Sequence, residues 1–199
     1  MLLPIKKILE TILNKTLCLL FMKITICGFP GSGKGTVSDI LASNLKYKQL
    51  SIGQLRRNEA KKRNMSLKEF NLWAESNVDD GDIYFDDLQK ELGQKEDNFI
   101  FDGRMSFHMI PDSFKIYLDC SLDESAKRIF NAKRTEEDSL NLDQTKQMIK
   151  ERLLTDKKRY ETLYQIPVYD LSMFDCVIDT TNLTPQQTAD EIMKQLSAQ

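Results

Sequence analysis

Apolar and polar residues follow two different periods along this chain, and the period changes repeatedly between that of a strand and that of a helix. Short apolar, β-prone runs recur five times, separated by segments in which apolar residues return every three or four positions. Strands that alternate with helices predict a parallel sheet covered on both faces, an α/β fold of three layers. The predicted strands are 23–27, 47–50, 98–101, 114–118 and 176–179.

Helical periodicity fills the intervals between these strands. Val37, Ile40 and Leu41 lie at helical spacing directly after the first strand. Ser66 and Glu69 have the spacing of a capping box, which predicts a helix start at this point. The predicted helices are 37–45, 53–63, 66–76, 81–92, 122–133, 140–164 and 185–196.

The first 21 residues differ from the rest of the chain. Three lysines and a glutamate interrupt their apolar residues, and the longest apolar run, 17–22, is far too short to span a bilayer. A secretory signal would need a longer apolar core and a small-residue cleavage site. We therefore expect residues 1–21 to be an N-terminal extension and 22–199 to be one domain. A helix lying on a membrane surface is the alternative for the extension.

Composition narrows the class of protein. A chain of 199 residues fits one α/β domain, and a net charge of −2 argues against nucleic acid or an anionic membrane as the main partner. We expect a cytoplasmic monomer. The cysteines have no CxxC spacing, and Cys27, Cys120 and Cys176 are predicted to be buried free thiols beside core strands. His108 is the only histidine, which excludes metal clusters built on several histidines.

A glycine-rich segment, 28–36, lies between the first predicted strand and the first predicted helix. Strand, glycine loop and helix in this order favour a phosphate-binding loop over a plain glycine turn. Its backbone N–H groups can converge on a polyphosphate at the positive end of the helix, and Lys34 adds charge for the β- and γ-phosphates. The predicted ATP-binding residues are Gly28, Phe29, Pro30, Gly31, Ser32, Gly33, Lys34, Gly35 and Thr36.

The residue after the lysine departs from the usual phosphate loop. Gly35 stands where a Mg²⁺-binding serine or threonine is common, and Thr36 follows one position later. This form of the loop resembles the nucleoside monophosphate kinases, of which adenylate kinase is the familiar member. The resemblance implies that Mg²⁺ is held mostly by water and by nucleotide oxygens. Phosphoryl transfer needs no histidine base, in keeping with the composition.

Two further segments extend the resemblance to a second substrate. Residues 51–57 resemble the SxGxxxR segment of the monophosphate kinases, in which the arginine, here Arg57, holds the acceptor's phosphate. Asp102, Gly103 and Arg104 resemble the D/E-G-R of cytidylate kinases and lack the FPR continuation of adenylate kinases. The resemblance implies that Arg104 faces the acceptor nucleotide and that Asp102 meets Mg²⁺ through water. An exposed helical arginine and a turn cap are the alternatives for Arg57 and Asp102.

The long charged helix carries a third group of residues. Arg152, Asp156 and Arg159 are spaced by four and three positions, which places them on one helix face. A solvated ladder of salt bridges is one interpretation. The spacing also matches cytidylate kinases, in which the arginines approach phosphate and sugar and the aspartate meets the sugar hydroxyls. Arg128 and Arg134 flank the predicted lid turn and match family positions where arginines neutralise the transferring phosphoryl group.

The resemblance to cytidylate kinases, in their short form, covers residues 22 to about 196. It implies a helical lid, a segment that binds the monophosphate, and transfer of a phosphoryl group from ATP·Mg²⁺ to CMP or dCMP. Catalysis would rest on Lys34, Arg128, Arg134 and Arg152. The acceptor would be held by Arg57, Arg104, Asp156 and Arg159.

Other interpretations remain open from the sequence. A kinase of the same fold could use AMP, UMP or shikimate, and a nucleotide-binding module could lack turnover. The chain has no guanine-reading NKxD segment, and its many arginines beyond the loop suit a second anionic substrate. Asp82, Asp86 and Asp87 are expected to form a solvated acidic helix face, with a place beside the acceptor site as the alternative.

Overall fold

A five-stranded parallel sheet forms the centre of the computed structural model, which describes residues 22–132 and 141–198. The strand order is β2-β3-β1-β4-β5, and every pairing is parallel. The predicted α/β fold is confirmed, and each strand boundary lies within one residue of its prediction. The strands are β1 (Lys23–Gly28), β2 (Lys48–Ser51), β3 (Phe99–Asp102), β4 (Phe114–Asp119) and β5 (Cys176–Asp179).

Helices connect the strands and cover both faces of the sheet. A π-helical turn, Asp79–Ile83, runs directly into the helix that begins at Tyr84, and a 3₁₀ turn, Leu171–Met173, precedes β5. The predicted helices are all present. The short helix Ser106–Met109 was not predicted, because four residues are too few to show a period. The helices are α1 (Lys34–Leu45), α2 (Ile52–Lys62), α3 (Leu67–Ser76), α4 (Tyr84–Lys95), α5 (Ser106–Met109), α6 (Leu122–Asn131), α7 (Leu142–Tyr164) and α8 (Pro185–Ser197).

Alternate residues of the strands supply two separate apolar cores, one on each face. Ile24 and Ile26 of β1 pack on one face with α1 and α8, whereas Cys27 packs on the other face. A third, smaller cluster centres on Phe70 and Phe85, between α2, α3 and α4. The segment α2–α4 therefore has packing of its own, beside the sheet rather than within it.

The predictions on cysteines, membrane helices, the extension and the lid turn have different outcomes. Cys27, Cys120 and Cys176 are buried and free, as predicted. Within 22–132 and 141–198, no helix combines the length and the apolar character that crossing a membrane requires. The predicted extension, 1–21, and the predicted lid turn around Arg134 lie outside the described residues, and both stay predictions.

Two glycines of the phosphate loop are needed for different physical reasons. Gly28 ends β1 with φ of 151°, and a Cβ there would lie 2.2 Å from the carbonyl oxygen of Leu118 in β4. The N–H of Phe29 donates to that same carbonyl at 2.9 Å. Gly33 has φ of 87°, but no atom lies within 4 Å of its Cβ position. Gly28 thus permits close approach to β4, whereas Gly33 permits only a backbone conformation.

We predict that Gly28→Ala destabilises the protein more than Gly33→Ala does. Left-handed backbone strain alone costs about 1–2 kcal/mol, the loss expected for Gly33→Ala. Gly28→Ala adds a clash with strand backbone and should exceed about 3 kcal/mol. Free energies of unfolding from denaturant titrations measure both. Equal losses in the two variants would show that the contact with β4 imposes no constraint.

Candidate active site

The phosphate loop places Lys34 at the first turn of α1. Gly33, the residue before the helix, has no side chain to cap it, so the first backbone N–H groups remain available to an anion. The Lys34 ammonium donates to the carbonyl oxygens of Gly28 at 3.0 Å and Phe29 at 2.9 Å. Burial lowers the pKa of Lys34 to about 8, against the opposing charge of Asp102. The loop therefore brings uncapped backbone N–H groups and the Lys34 ammonium together at the start of α1, and phosphate binding there stays a prediction.

The loop is held in place by the segments that follow β4 and β5. The hydroxyl of Ser125 donates to the carbonyl oxygen of Pro30. The Thr180 hydroxyl lies 3.1 Å from the carbonyl oxygen of Ser32 and is buried. These two contacts hold two carbonyl groups of the loop in place.

Arg128 belongs to this supporting structure. Its guanidinium donates to the carbonyl oxygens of Thr180 at 2.7 Å and Thr181 at 3.3 Å, and it pairs with Glu124 at 3.0 Å. The structure thus places Arg128 against the segment after β5, on the donor side. Its role in neutralising the phosphoryl group stays a prediction, as does that of Arg134.

Asp102 lies at the carboxyl end of β3, next to the end of β2. The Ser51 hydroxyl donates to its carboxylate at 3.5 Å, and the two residues are partners in the strand register. Burial raises the pKa of Asp102, while the charges of Lys34 and Arg104 act to lower it. Hard oxygen ligands therefore lie beside the loop lysine.

Arg104 and Asp156 form an ion pair between the end of β3 and α7. Arg104 also donates to the Tyr169 hydroxyl at 2.9 Å, and both charged side chains are largely buried. Arg152 lies one turn before Asp156 and is exposed, and the charge of Arg104 lowers the pKa of Arg152. Two neighbouring guanidinium groups with one carboxylate keep net positive charge, which suits a phosphate ligand.

A second ion pair joins the segment α2–α4 to α7. Asp82, in the π-helical turn, accepts from Arg56 of α2 at 2.8 Å and from the Nε of Arg159 at 2.8 Å. Burial by itself raises the pKa of Asp82, but the bonds from Arg159 and Arg56 outweigh it and hold that pKa below its usual value. Asp82 therefore carries its charge between two arginines from different helices.

The expected solvated acidic face is wrong at two of its three positions. Asp82 and Asp86 are only 6% and 8% exposed, whereas Asp87 is exposed. The π-helical turn inserts an extra residue per turn and rotates the acidic positions inward. Their partners lie on α2 and α7, which no local pattern reveals.

The group on α7 also differs from the salt-bridge ladder that the sequence left open. Asp156 pairs with Arg104 and Arg159 pairs with Asp82, both across to other elements. Arg152 forms no ion pair with any other described residue. Asp156 and Arg159 therefore face the interior of the site, and the three residues do not bridge to one another on the surface.

Adjacent arginines of α2 take different positions. Arg57 is exposed, donates to Gln54 at 3.1 Å and exerts its charge on Asp102, so it lies at the mouth of the site. Arg56 turns inward over the rings of Phe70 and Phe85. Sequence reasoning missed Arg56, although its spacing of four from the inward-facing Ile52 and Ala60 could have revealed its inward face.

A small cavity of about 30 Å³ lies between α2, α4 and α7. Asp86 accepts a hydrogen bond there from the Tyr164 hydroxyl, and burial raises the pKa of Asp86 to about 6. The polar side chains that line the cavity are Arg56, Asp82, Asp86, Gln89, Arg104, Tyr160 and Tyr164.

Comparisons with known proteins agree with this geometry. A family model described as an AAA domain matches residues 24–151. A cytidylate kinase of Sulfolobus acidocaldarius is 37% identical over 179 residues, covering 88% of this chain and 94% of the relative. One from Thermoplasma volcanium is 33% identical over 172 residues, covering 84% and 87%. A shikimate kinase structure from Aquifex aeolicus has a TM-score of 0.55 at 20% identity, covering 89% and 97%, and shows the fold alone.

The parallel sheet, the glycine loop with its lysine and the arginines at the strand ends define a phosphate-loop kinase. The relatives identify it more closely, because they match at over 30% identity along most of both chains. The chain belongs to the cytidylate kinase family, and its residues 24–151 belong to the AAA domain family. The resemblance predicted from the sequence is confirmed.

We predict that Asp82→Asn destabilises the protein by about 3–5 kcal/mol at neutral pH, because it removes the buried counter-charge of two arginines and leaves Arg159 only a 4.0 Å pair with the exposed Glu75. The folded-state pKa of Asp82 is lowered, so its stabilisation is present above the ordinary aspartate pKa of about 4 and is lost as pH falls below it. Denaturant titrations over a pH series measure this.

Asp79→Asn is the matched control, since Asp79 lies in the same turn and is exposed. It should change the free energy of unfolding by less than about 0.5 kcal/mol. A difference between wild type and Asp82→Asn that stays constant down to the most acidic pH would contradict the assignment.

Proposed function

We propose that this protein transfers the γ-phosphoryl group of ATP to CMP or dCMP. The observation that carries the proposal is the gathering of Lys34, Asp102, Arg104 and Arg152 between the phosphate loop and the cavity on the acceptor side. Relatives bearing the name cytidylate kinase support CMP as the acceptor. Two polyanions brought together require such a concentration of cations.

The donor side is formed by the loop and α1. Backbone N–H groups of the loop bind the ATP phosphates, and the Lys34 ammonium moves from the carbonyls of Gly28 and Phe29 to the phosphate oxygens. Asp102 and Ser51 fit a role in holding Mg²⁺ through water, because both offer hard oxygen atoms beside Lys34. Among the described residues, no cluster of three or more His, Cys, Asp or Glu could hold a metal by itself. Mg²⁺ supplies neutralisation of the phosphate charge.

The acceptor side uses arginines of three elements. Arg57, at the mouth, holds the acceptor's phosphate, and Arg104 with Arg152 neutralises the group in transfer. Asp156 orients Arg104 and accepts from a sugar hydroxyl. Arg159 also faces the acceptor, and its hydrogen bond to Asp82 limits how far its guanidinium group can move toward it. Excluding water then directs the phosphoryl group to the nucleotide.

An acceptor panel with ATP held constant tests the function. We expect CMP and dCMP to be the best acceptors, UMP weaker, AMP poor and shikimate inactive. Lys34→Ala is the control: it should remain folded and lose nearly all turnover, because Lys34 contributes charge to phosphates rather than packing. A higher kcat/KM for AMP than for CMP would refute the assigned acceptor.

We predict that Asp156→Ala raises the KM for CMP by at least about tenfold, because Arg104 loses its partner and a buried charged hydrogen bond contributes about 1.5–3 kcal/mol. The KM for ATP should change less than about twofold, since the donor loop is held by other contacts. Glu151→Ala, an exposed acid on the same helix, is the control and should leave both constants unchanged. Equal changes in both KM values after Asp156→Ala would place Asp156 outside the acceptor site.

A further inference from the structure

One hydrogen-bond donor in the cavity has no partner. Four buried side-chain N and O atoms of the described residues lack one, and of these only Nη2 of Arg56 belongs to a residue that lines the cavity. The other nitrogens of Arg56 are engaged, Nη1 with Asp82 and Nε with Asn71 at 3.2 Å. Leaving a buried charged donor unsatisfied is costly, so this atom points to an acceptor atom of a ligand.

The carboxylate of Asp86 faces the same cavity with free acceptor capacity. Tyr164 donates to one oxygen, and the Gln89 amide donates to the other at 3.3 Å. Gln89 is itself fixed, because its carbonyl oxygen accepts from Ser106 at 2.6 Å. A carboxylate has about four lone-pair sites, so two remain for a ligand. The cavity thus presents a positioned acceptor and a positioned donor together.

We infer that Asp86 and Arg56 select the base of the acceptor nucleotide, as specificity-determining residues for cytosine; this rests on the proposed function. Asp86 accepts from the exocyclic amino group of cytosine, and Nη2 of Arg56 donates to the acceptor atoms beside it, the ring nitrogen or the carbonyl oxygen. Uracil has a carbonyl oxygen in place of the amino group. That oxygen and the Asp86 carboxylate are both hydrogen-bond acceptors, so they repel each other.

The amount by which the cavity must widen separates cytosine from purines. Adenine also presents an amino group beside a ring acceptor, so hydrogen bonding alone does not exclude it. The cavity of about 30 Å³ has the volume of one water, and it must widen even for one ring. Widening requires α2 to move from α7, which the Arg56–Asp82–Arg159 bridge opposes. A purine demands a larger displacement than a pyrimidine.

Protonation of Asp86 changes what it can bind. Burial raises the pKa of Asp86 to about 6; Tyr164 from α7 and Arg56 from α2 act to lower it, as does Lys90 on α4, and Asp82 acts to raise it. Above this pH the ionised carboxylate only accepts hydrogen bonds. Below it, the carboxyl group carries a proton that it can donate to the O4 carbonyl of uracil. The preference for CMP over UMP should therefore weaken as the pH falls through about 6.

The test is the ratio of kcat/KM for CMP to that for UMP, measured from about pH 8 to about pH 5.5. The two substrates share the same phosphate, so its ionisation cancels in the ratio. In the wild type the ratio should fall at least about tenfold on acidification. Asp86→Asn, whose amide both donates and accepts, should lower the ratio about tenfold at pH 8 and abolish its pH dependence.

Asp87→Asn is the matched control, because Asp87 is the next carboxylate on α4 and is exposed. It should keep the wild-type ratio and its pH dependence. If Asp86→Asn fails to fold, Tyr164→Phe serves instead. Losing that hydroxyl raises the pKa of Asp86 further, so the fall in the ratio should move to higher pH. A wild-type ratio and pH profile in either Asp86→Asn or Tyr164→Phe overturns the inference.

Calorimetric titration with CMP and with UMP separates this inference from the proposed function. Binding constants give the same selectivity ratio without turnover. Selective binding of CMP that depends on Asp86, without phosphoryl transfer, would refute the kinase activity and support the base selection. If the enzyme phosphorylates CMP and Asp86→Asn leaves its selectivity unchanged, the kinase activity is supported and the base selection by Asp86 is refuted.

Discussion

The contact between the backbone of Gly28 and the backbone of β4 sets the position of the donor site. Any side chain at Gly28 would overlap the carbonyl of Leu118, so the loop leaves β1 pressed against its neighbour. Because β1 is the central strand, the loop emerges between the ends of β3 and β4, where parallel sheets bind ligands. Ser125 and Thr180 then hold the loop carbonyls from behind. The donor site is consequently preorganised by the sheet itself.

The acceptor side is held together by charge instead of by sheet backbone. Arg104 pairs with Asp156, and Asp82 pairs with Arg56 and Arg159, so two bridges connect α7 to the remainder of the site. Buried pairs of this kind gain little net stability, since desolvation offsets their attraction. Their arginines are, however, already desolvated and positioned. An anionic substrate can therefore exchange for a carboxylate partner without rebuilding the site.

Local patterns in the sequence predicted most of the framework. The strands, the helix that begins at Lys34 and the capping box at Ser66 depend on residues close together in the chain, and all are confirmed. The burial of Asp82 and Asp86 was missed, because Asp82 meets arginines 26 and 77 positions away. Such partners leave no periodic signal. The inward turn of Arg56 was missed for a related reason, since a charged residue on an apolar face is interpreted as exposed unless its counter-charge is known.

The pKa values of two buried carboxyl groups in one segment are shifted in opposite directions by their neighbours. Asp82 lies between two guanidinium groups, which hold its pKa below the usual value, whereas Asp86 has a tyrosine and an amide as neighbours, and its pKa rises to about 6. Pairs of titratable groups separated in this way take different roles. Asp82 keeps its charge throughout the physiological range, so the bridge between α2 and α7 holds across that range. Asp86 can change state near pH 6, so the proposed choice of base responds to pH in a range where Asp82 keeps its charge.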